Sequence, residues 1–275
     1  LKIKKIKEEF FVDILQKEIL VITIGESWTY GDSLDEAERR LQIYGKLIAN
    51  SFDADYINIA RCGASNSWII NQAKNLSNWI DFDSYKKVYI IFTFTEAGRD
   101  FEEKKDWLVD YSTYYSNYID NLTPDFYNRI ISDTENIWST ELNKFANSLP
   151  KNVVAVLGQN FAWHEDLYQF NYNKKVIKLE KNWLETIADQ LKLAQPPKAQ
   201  LVTGWIFQVL HGVNNILDIT DTSSYKEWTL YKLDEALLVN EWLDQSPVNY
   251  KKHSKHPNSL GHQIWANYII DRISF

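Results

Sequence analysis

The chain alternates between short, unbroken apolar runs and longer stretches whose apolar residues recur three and four apart. "EILVITIG" (18–25) is continuous, rich in β-branched residues and closed by Gly25, the pattern of a strand buried on both faces. "SLDEAERRLQIYGKLIANSF" (33–52) then sets Leu34, Ala37, Leu41, Tyr44, Leu47 and Ile48 at helical spacing. "ADYINIAR" (54–61) reads as a second strand, and 65–80 as a helix with Ile69, Ile70, Ala73, Leu76 and Ile80 on one face. "KKVYIIFTFT" (86–95) is a third strand, 126–149 a helix, and "NVVAVLG" (152–158) a fourth strand. A fifth strand falls on "KKVIKL" (174–179) or on "AQLVTGW" (199–205). Helical patterns return at 179–193, 225–244 and 259–273.

Strands alternating with helices imply βαβ units, right-handed by the usual chirality, and a parallel sheet covered on both faces. The expected class is α/β: a three-layer α/β/α sandwich on a flavodoxin-like parallel sheet of about five strands. A chain of 275 residues suits one such domain, spanning 1–275. Residues 100–127 break the alternation and are expected to form an aromatic-rich insertion. Its Trp107, Tyr111, Tyr114, Tyr115 and Tyr118 either wall a cleft or form a small core of their own. Extra helices are expected around 206–250, beyond the loop "QPPKA" (195–199).

Composition narrows the classes. The net charge of −7 argues against a nucleic-acid partner, which wants a basic stripe. No apolar run approaches a membrane span, and the first residues lack the pattern of a signal peptide. A cytoplasmic location is the default expectation. The single cysteine, Cys62, excludes an intrachain disulfide. Aromatics make up 15% of the chain and serve either as packing units or as a surface for stacking on sugars. No metal-ligand spacing, dinucleotide fingerprint, phosphate loop or Gly-x-Ser-x-Gly elbow is present, so no cofactor is expected.

Two serines compete as a nucleophile. Ser33 lies in Gly31-Asp32-Ser33-Leu34, whose letters spell a known hydrolase signature. Ser27 lies in Gly25-Glu26-Ser27, directly after the first strand. In an open parallel sheet, ligands bind beyond the carboxyl ends of the strands, which favours Ser27. Ser33 has another use: "SLDE" is a capping box in which Ser33 would cap the following helix and Glu36 would return the bond. A serine hydroxyl also needs a base within reach and donors for an oxyanion. The candidate bases are His164, His211, His253, His256 and His262. His256-Pro257-Asn258 opens a loop before the last helix, which Ser259 is placed to cap.

In these blocks the chain resembles the SGNH/GDSL hydrolase superfamily. That family carries Gly-Asp-Ser after the first strand, a glycine block after the second, Gly-x-Asn-Asp after the third, and Asp-x-x-His-Pro before the last helix. Here the blocks fall on Gly25-Glu26-Ser27, on "ARCGASNS" with Gly63, on "FTFTEAGRD", and on "HSKHPNSLGH". The resemblance implies Ser27 as nucleophile, His256 as general base, and backbone N–H groups of Ser27 and Gly63 as oxyanion donors. Thr95 aligns with the family's Asn and Glu96 with the following Asp. Arg99 and Asn160 are further candidate donors. His253 stands where the family has the Asp that orients the base, and a neutral His supplies no charge there. In a serine-protease triad, losing that carboxylate lowers the rate by about 10⁴-fold.

The remaining residues have plainer readings. Cys62 is expected to be a small buried residue, His164 a loop residue, and His262 a packing or capping residue of the last helix. The expected function is hydrolysis of short acyl esters, including O-acetyl groups on carbohydrates, through an acyl-enzyme on Ser27. The rival is a catalytically weak or inactive protein of the same fold that binds a carbohydrate or protein partner, for example in a virion.

Overall fold

The computed structural model describes residues 3, 10–32, 34–95, 124–160, 169–172, 176–192 and 256–274. In chain order these form β1 (Phe11–Asp13), β2 (Ile19–Gly25), α1 (Ser27–Tyr30), α2 (Glu36–Gln42), α3 (Tyr44–Ser51), β3 (Asp55–Ala60), α4 (Asn66–Trp79), β4 (Lys87–Phe94), α5 (Pro124–Ser148), β5 (Val153–Gln159), β6 (Val176–Lys178), α6 (Trp183–Leu191) and α7 (Ser259–Ile273). The strands make one sheet in the order β1-β3-β2-β4-β5-β6. Five of them, β3-β2-β4-β5-β6, run parallel in the flavodoxin-like order. The short strand β1 is an addition to the expected set. It pairs antiparallel with β3, Phe11 opposite Asn58, and makes the sheet mixed.

Period-2 alternation within the apolar runs supplies both layers of the sandwich. Leu20, Ile22 and Ile24 of β2 face a cluster with Ile69, Ala73 and Leu76 of α4 and Trp138, Leu142 and Phe145 of α5. Val21 faces the opposite cluster, where Tyr44 and Ile48 of α3 meet Trp183 and Ile187 of α6 and Trp265 and Ile269 of α7. The fifth strand falls on the first of the two segments considered, since Val176–Lys178 pairs with β5. The stretch 199–205, the extra helices around 206–250 and the insertion up to residue 123 lie outside the described residues. The last residues of the insertion, 124–127, instead open α5.

Three local expectations are corrected. The helical stretch 33–52 is two helices, broken at Ile43, whose extended backbone (φ −66°, ψ 144°) ends α2 and starts α3. The capping box of α2 is Asp35 with Glu38 rather than Ser33 with Glu36: Asp35 Oδ1 accepts from the Glu38 N–H at 2.8 Å, and Glu38 Oε2 accepts from the Asp35 N–H at 3.2 Å. A carboxylate at the cap gains from the helix dipole as well as the hydrogen bond. Ser33 itself lies outside the described residues. At α7 the cap is Asn258, whose Oδ1 accepts from the N–H groups of Leu260 and Gly261, rather than Ser259. No described helix is long and apolar enough to cross a membrane.

Candidate active site

The central strands end level with one another: Gly25 of β2 lies opposite Ala60 of β3 and Thr93 of β4. Between β2 and β4 the crossovers diverge to opposite faces, which opens a crevice at the carboxyl ends of the strands. Ser27 starts α1 at that point. Gly25 has no alternative there, because a Cβ would stand 2.1 Å from Thr29 Oγ1. This close approach lets the chain turn from strand to helix within one residue, Glu26, which caps α1 by accepting from the Trp28 N–H at 3.1 Å.

Ser27 Oγ lies 2.8 Å from Nε2 of His256, although the two residues are 229 positions apart. His256 is carried by the N-terminal approach to α7. That helix is fixed by the Trp183 indole, which donates to the Gly261 carbonyl at 3.0 Å and stacks on Trp265 at 5.5 Å. Trp28 spans the gap: its ring meets Trp183 edge-on at 5.4 Å and lies 6.5 Å from the His256 ring.

Gly63 follows β3 with φ 73°, a left-handed backbone suited to glycine, and is exposed. Thr95 and Asn160 are fully buried near Ser27 and Glu26. Asn160 turns its amide inward, 3.3 Å from Thr95 Oγ1 and 3.4 Å from Glu26 Oε1. Its carbonyl accepts from the Trp183 and Leu184 N–H groups, so Asn160 also joins β5 to α6. Asn66 clamps the end of β4, its side chain giving to the Thr95 carbonyl at 2.8 Å and accepting from the Thr95 N–H at 2.9 Å. His253, Glu96, Arg99 and His164 lie outside the described residues.

Among the described residues, two carboxylates to which the sequence assigns no role reach Ser27 and His256. Glu26, fully buried, accepts from Ser27 Oγ at 2.5 Å through Oε2. Asp32, half exposed, places Oδ2 3.9 Å from His256 Nε2. The signal for Glu26 is its place in the first block, where it stands in place of the family's Asp; Asp32 lies outside that block, in the Gly31-Asp32-Ser33-Leu34 spelling. Cys62 is exposed, not buried as expected. Its Sγ points to Asp32 Oδ1 at 3.4 Å, and local desolvation followed by the Asp32 carboxylate pushes the thiol up to about 12. It is therefore no thiolate at neutral pH. Beside α1, Phe10, Phe11, Tyr30, Arg39, Asn58 and Ala60 border a cavity of about 420 Å³, room for part of a small ligand. Among the described residues, no group of three His, Cys, Asp or Glu side chains could hold a metal ion.

His262 is fully buried and packs in the core. Its Nδ1 accepts from the Tyr44 N–H at 3.3 Å, which leaves the proton on Nε2. Burial, then the nearby His256, lowers its pKa to about 3. The unfolded chain takes up this proton near the ordinary histidine value of 6.5. Its contribution is thus fully present above that pH and is lost as pH falls toward about 3. Unfolding free energies from urea titrations between pH 6 and 4 should show a slope from this group approaching about 1.4 kcal/mol per pH unit. A His262→Gln variant should be flatter by that amount, and an unchanged slope would contradict the neutral buried state.

No protein-family model matches the sequence, and no curated protein matches it. Solved structures do align along most of the chain. A lipase from a goat rumen metagenome is 10% identical, with 93% of this chain and 97% of that chain covered and a TM-score of 0.44. A catalytic mutant of an acetylxylan esterase from Geobacillus stearothermophilus is 11% identical, with 94% of each chain covered and a TM-score of 0.42. A member of the lipolytic G-D-S-L family from Veillonella parvula is 14% identical, with 93% and 98% covered and a TM-score of 0.39. Independently of these alignments, the chain joins a flavodoxin-like strand order to Ser27 after the first parallel strand, Gly63 after the second and His256-Pro257 before the last helix. In fold it resembles a divergent member of the SGNH/GDSL hydrolase superfamily.

Proposed function

We propose that this protein is a serine ester hydrolase that forms an acyl-enzyme on Ser27, with His256 as general base. The observation that carries this reading is the 2.8 Å contact between Ser27 Oγ and His256 Nε2 at the carboxyl end of the sheet. His256 accepts the serine proton as Oγ attacks the ester carbonyl, and returns it to the departing alcohol. It then activates water in the same way to release the acid. A positioned base of this kind contributes about 10²- to 10⁴-fold. Backbone N–H groups of Ser27 and Gly63 receive the oxyanion. Short acyl esters are the proposed substrates, with O-acetyl groups on carbohydrates as the leading class.

One observation favours a second reading, a binding protein with little turnover. The Asn160 amide is engaged inward and Thr95 is fully buried. Among the described residues this leaves backbone donors to carry the oxyanion, and one missing donor costs about 10²- to 10³-fold. The deciding experiment is labelling with a fluorophosphonate, followed by mass-spectrometric mapping of the adduct. The enzyme reading expects the adduct on Ser27, with little in His256→Ala. No adduct, or one on Ser33, would transfer the weight to a carbohydrate- or protein-binding role that survives Ser27→Ala.

A further inference from the structure

Among the described residues, the Ser27 hydroxyl has two proton acceptors. Glu26 Oε2 lies 2.5 Å from Oγ, and His256 Nε2 lies 2.8 Å away. A hydroxyl carries one proton, so it can serve only one of them at a time. In the arrangement described, Oγ donates to the carboxylate. The carboxylate is built into its place. Glu26 is fully buried, and its Oε1 accepts from the Trp28 N–H at 3.1 Å and the Asn160 amide at 3.4 Å. Those two bonds fix the group so that Oε2 faces the serine. An O–H···O⁻ contact of this length belongs to the strong, charge-assisted class.

We infer that Glu26 is a further catalytic residue, a second base on the Ser27 proton. It acts beside His256 and supplies a carboxylate to a site whose sequence has His253 where its resemblance calls for an Asp. The inference rests on Ser27 being the nucleophile. As the bond from Oγ to the acyl carbon forms, the carbonyl π pair moves to oxygen and the serine proton passes to Oε2. When the intermediate collapses, the bond to the alcohol oxygen breaks and that oxygen takes the proton from the Glu26 carboxyl. Water then gives a proton to the carboxylate as its oxygen attacks the acyl carbon. The Oγ–acyl bond breaks, Oγ recovers the proton, and the carboxylic acid leaves. No further reactant is needed.

A double-mutant cycle tests this, with wild type, Glu26→Gln, His256→Ala and the double variant. Fluorophosphonate labelling and p-nitrophenyl acetate hydrolysis are followed across pH, with thermal melts to check folding. Gln keeps an acceptor for the Trp28 N–H but cannot take a proton from Oγ. Glu26→Gln should lower kcat about 10-fold or more with KM nearly unchanged. His256→Ala should keep a residual labelling rate, and the double variant should lose it. Should the Gln variant fail to fold, Glu26→Asp draws the carboxylate back by one methylene while keeping its charge, and the same fall in kcat is expected. Wild-type labelling at Ser27 that is unchanged in Glu26→Gln would overturn the inference and leave the nucleophile standing. No labelling of wild type would overturn both.

Discussion

Ser27→Ala is expected to abolish ester hydrolysis, lowering kcat/KM by about 10³-fold or more. The change removes the atom on which Glu26 and His256 converge. Because all three groups act on one proton, losses within the set will not add, and Ser27→Ala should mask the effect of removing either partner. Folding should survive. The side chain is small, and the main cost is a buried Glu26 oxygen that loses its serine donor, about 1–3 kcal/mol. Initial rates on p-nitrophenyl acetate, compared with the melting temperature of the same preparation, separate the two effects. Turnover that persists in a folded Ser27→Ala protein would place the chemistry at another residue.

Trp183→Ala should be the most destabilising single change among the described residues, by about 3–5 kcal/mol. The indole is fully buried. It stacks on Trp265 at 5.5 Å and meets Trp28, Tyr44 and His262 edge-on at 5.4, 5.2 and 5.0 Å. Neighbours this numerous and rigid cannot close the space left behind. The indole N–H is also the bond that holds the first turn of α7. Trp183→Phe keeps a ring but not that bond, and should fall between wild type and Trp183→Ala while still lowering kcat, since His256 lies on the segment that leads into that turn. Urea unfolding of the three proteins checks this. A loss under about 1 kcal/mol for Trp183→Ala would mean that the cluster is not packed as described.

The parts legible in the sequence are those set by pattern over many residues. Four parallel strands show as apolar runs too short for helices, and their burial follows from covering both faces. What escapes is decided by one or two residues. β1 has three residues, too few for any period, and pairs only because β3 offers a free edge. "SLDEAE" contains two overlapping capping boxes, two residues apart, and local chemistry cannot choose between them. The structure uses the second, with Asp35 capping the helix that starts at Glu36. Ser27 and His256 are legible through their blocks, as a strand end and a turn before a helix. Glu26 is not, because a carboxylate next to a serine in sequence does not say where its oxygens point. That follows from the tight turn after Gly25 and from the donors of Trp28 and Asn160.

The 229-residue separation between hydroxyl and imidazole has a consequence for how the protein comes into being. Bringing the two together closes a loop that contains most of the chain, and the entropy of that closure is met only once the intervening strands have paired. No early, locally ordered species can hold the pair. The imidazole therefore reaches Ser27 only late, and an incompletely folded chain carries that serine without it.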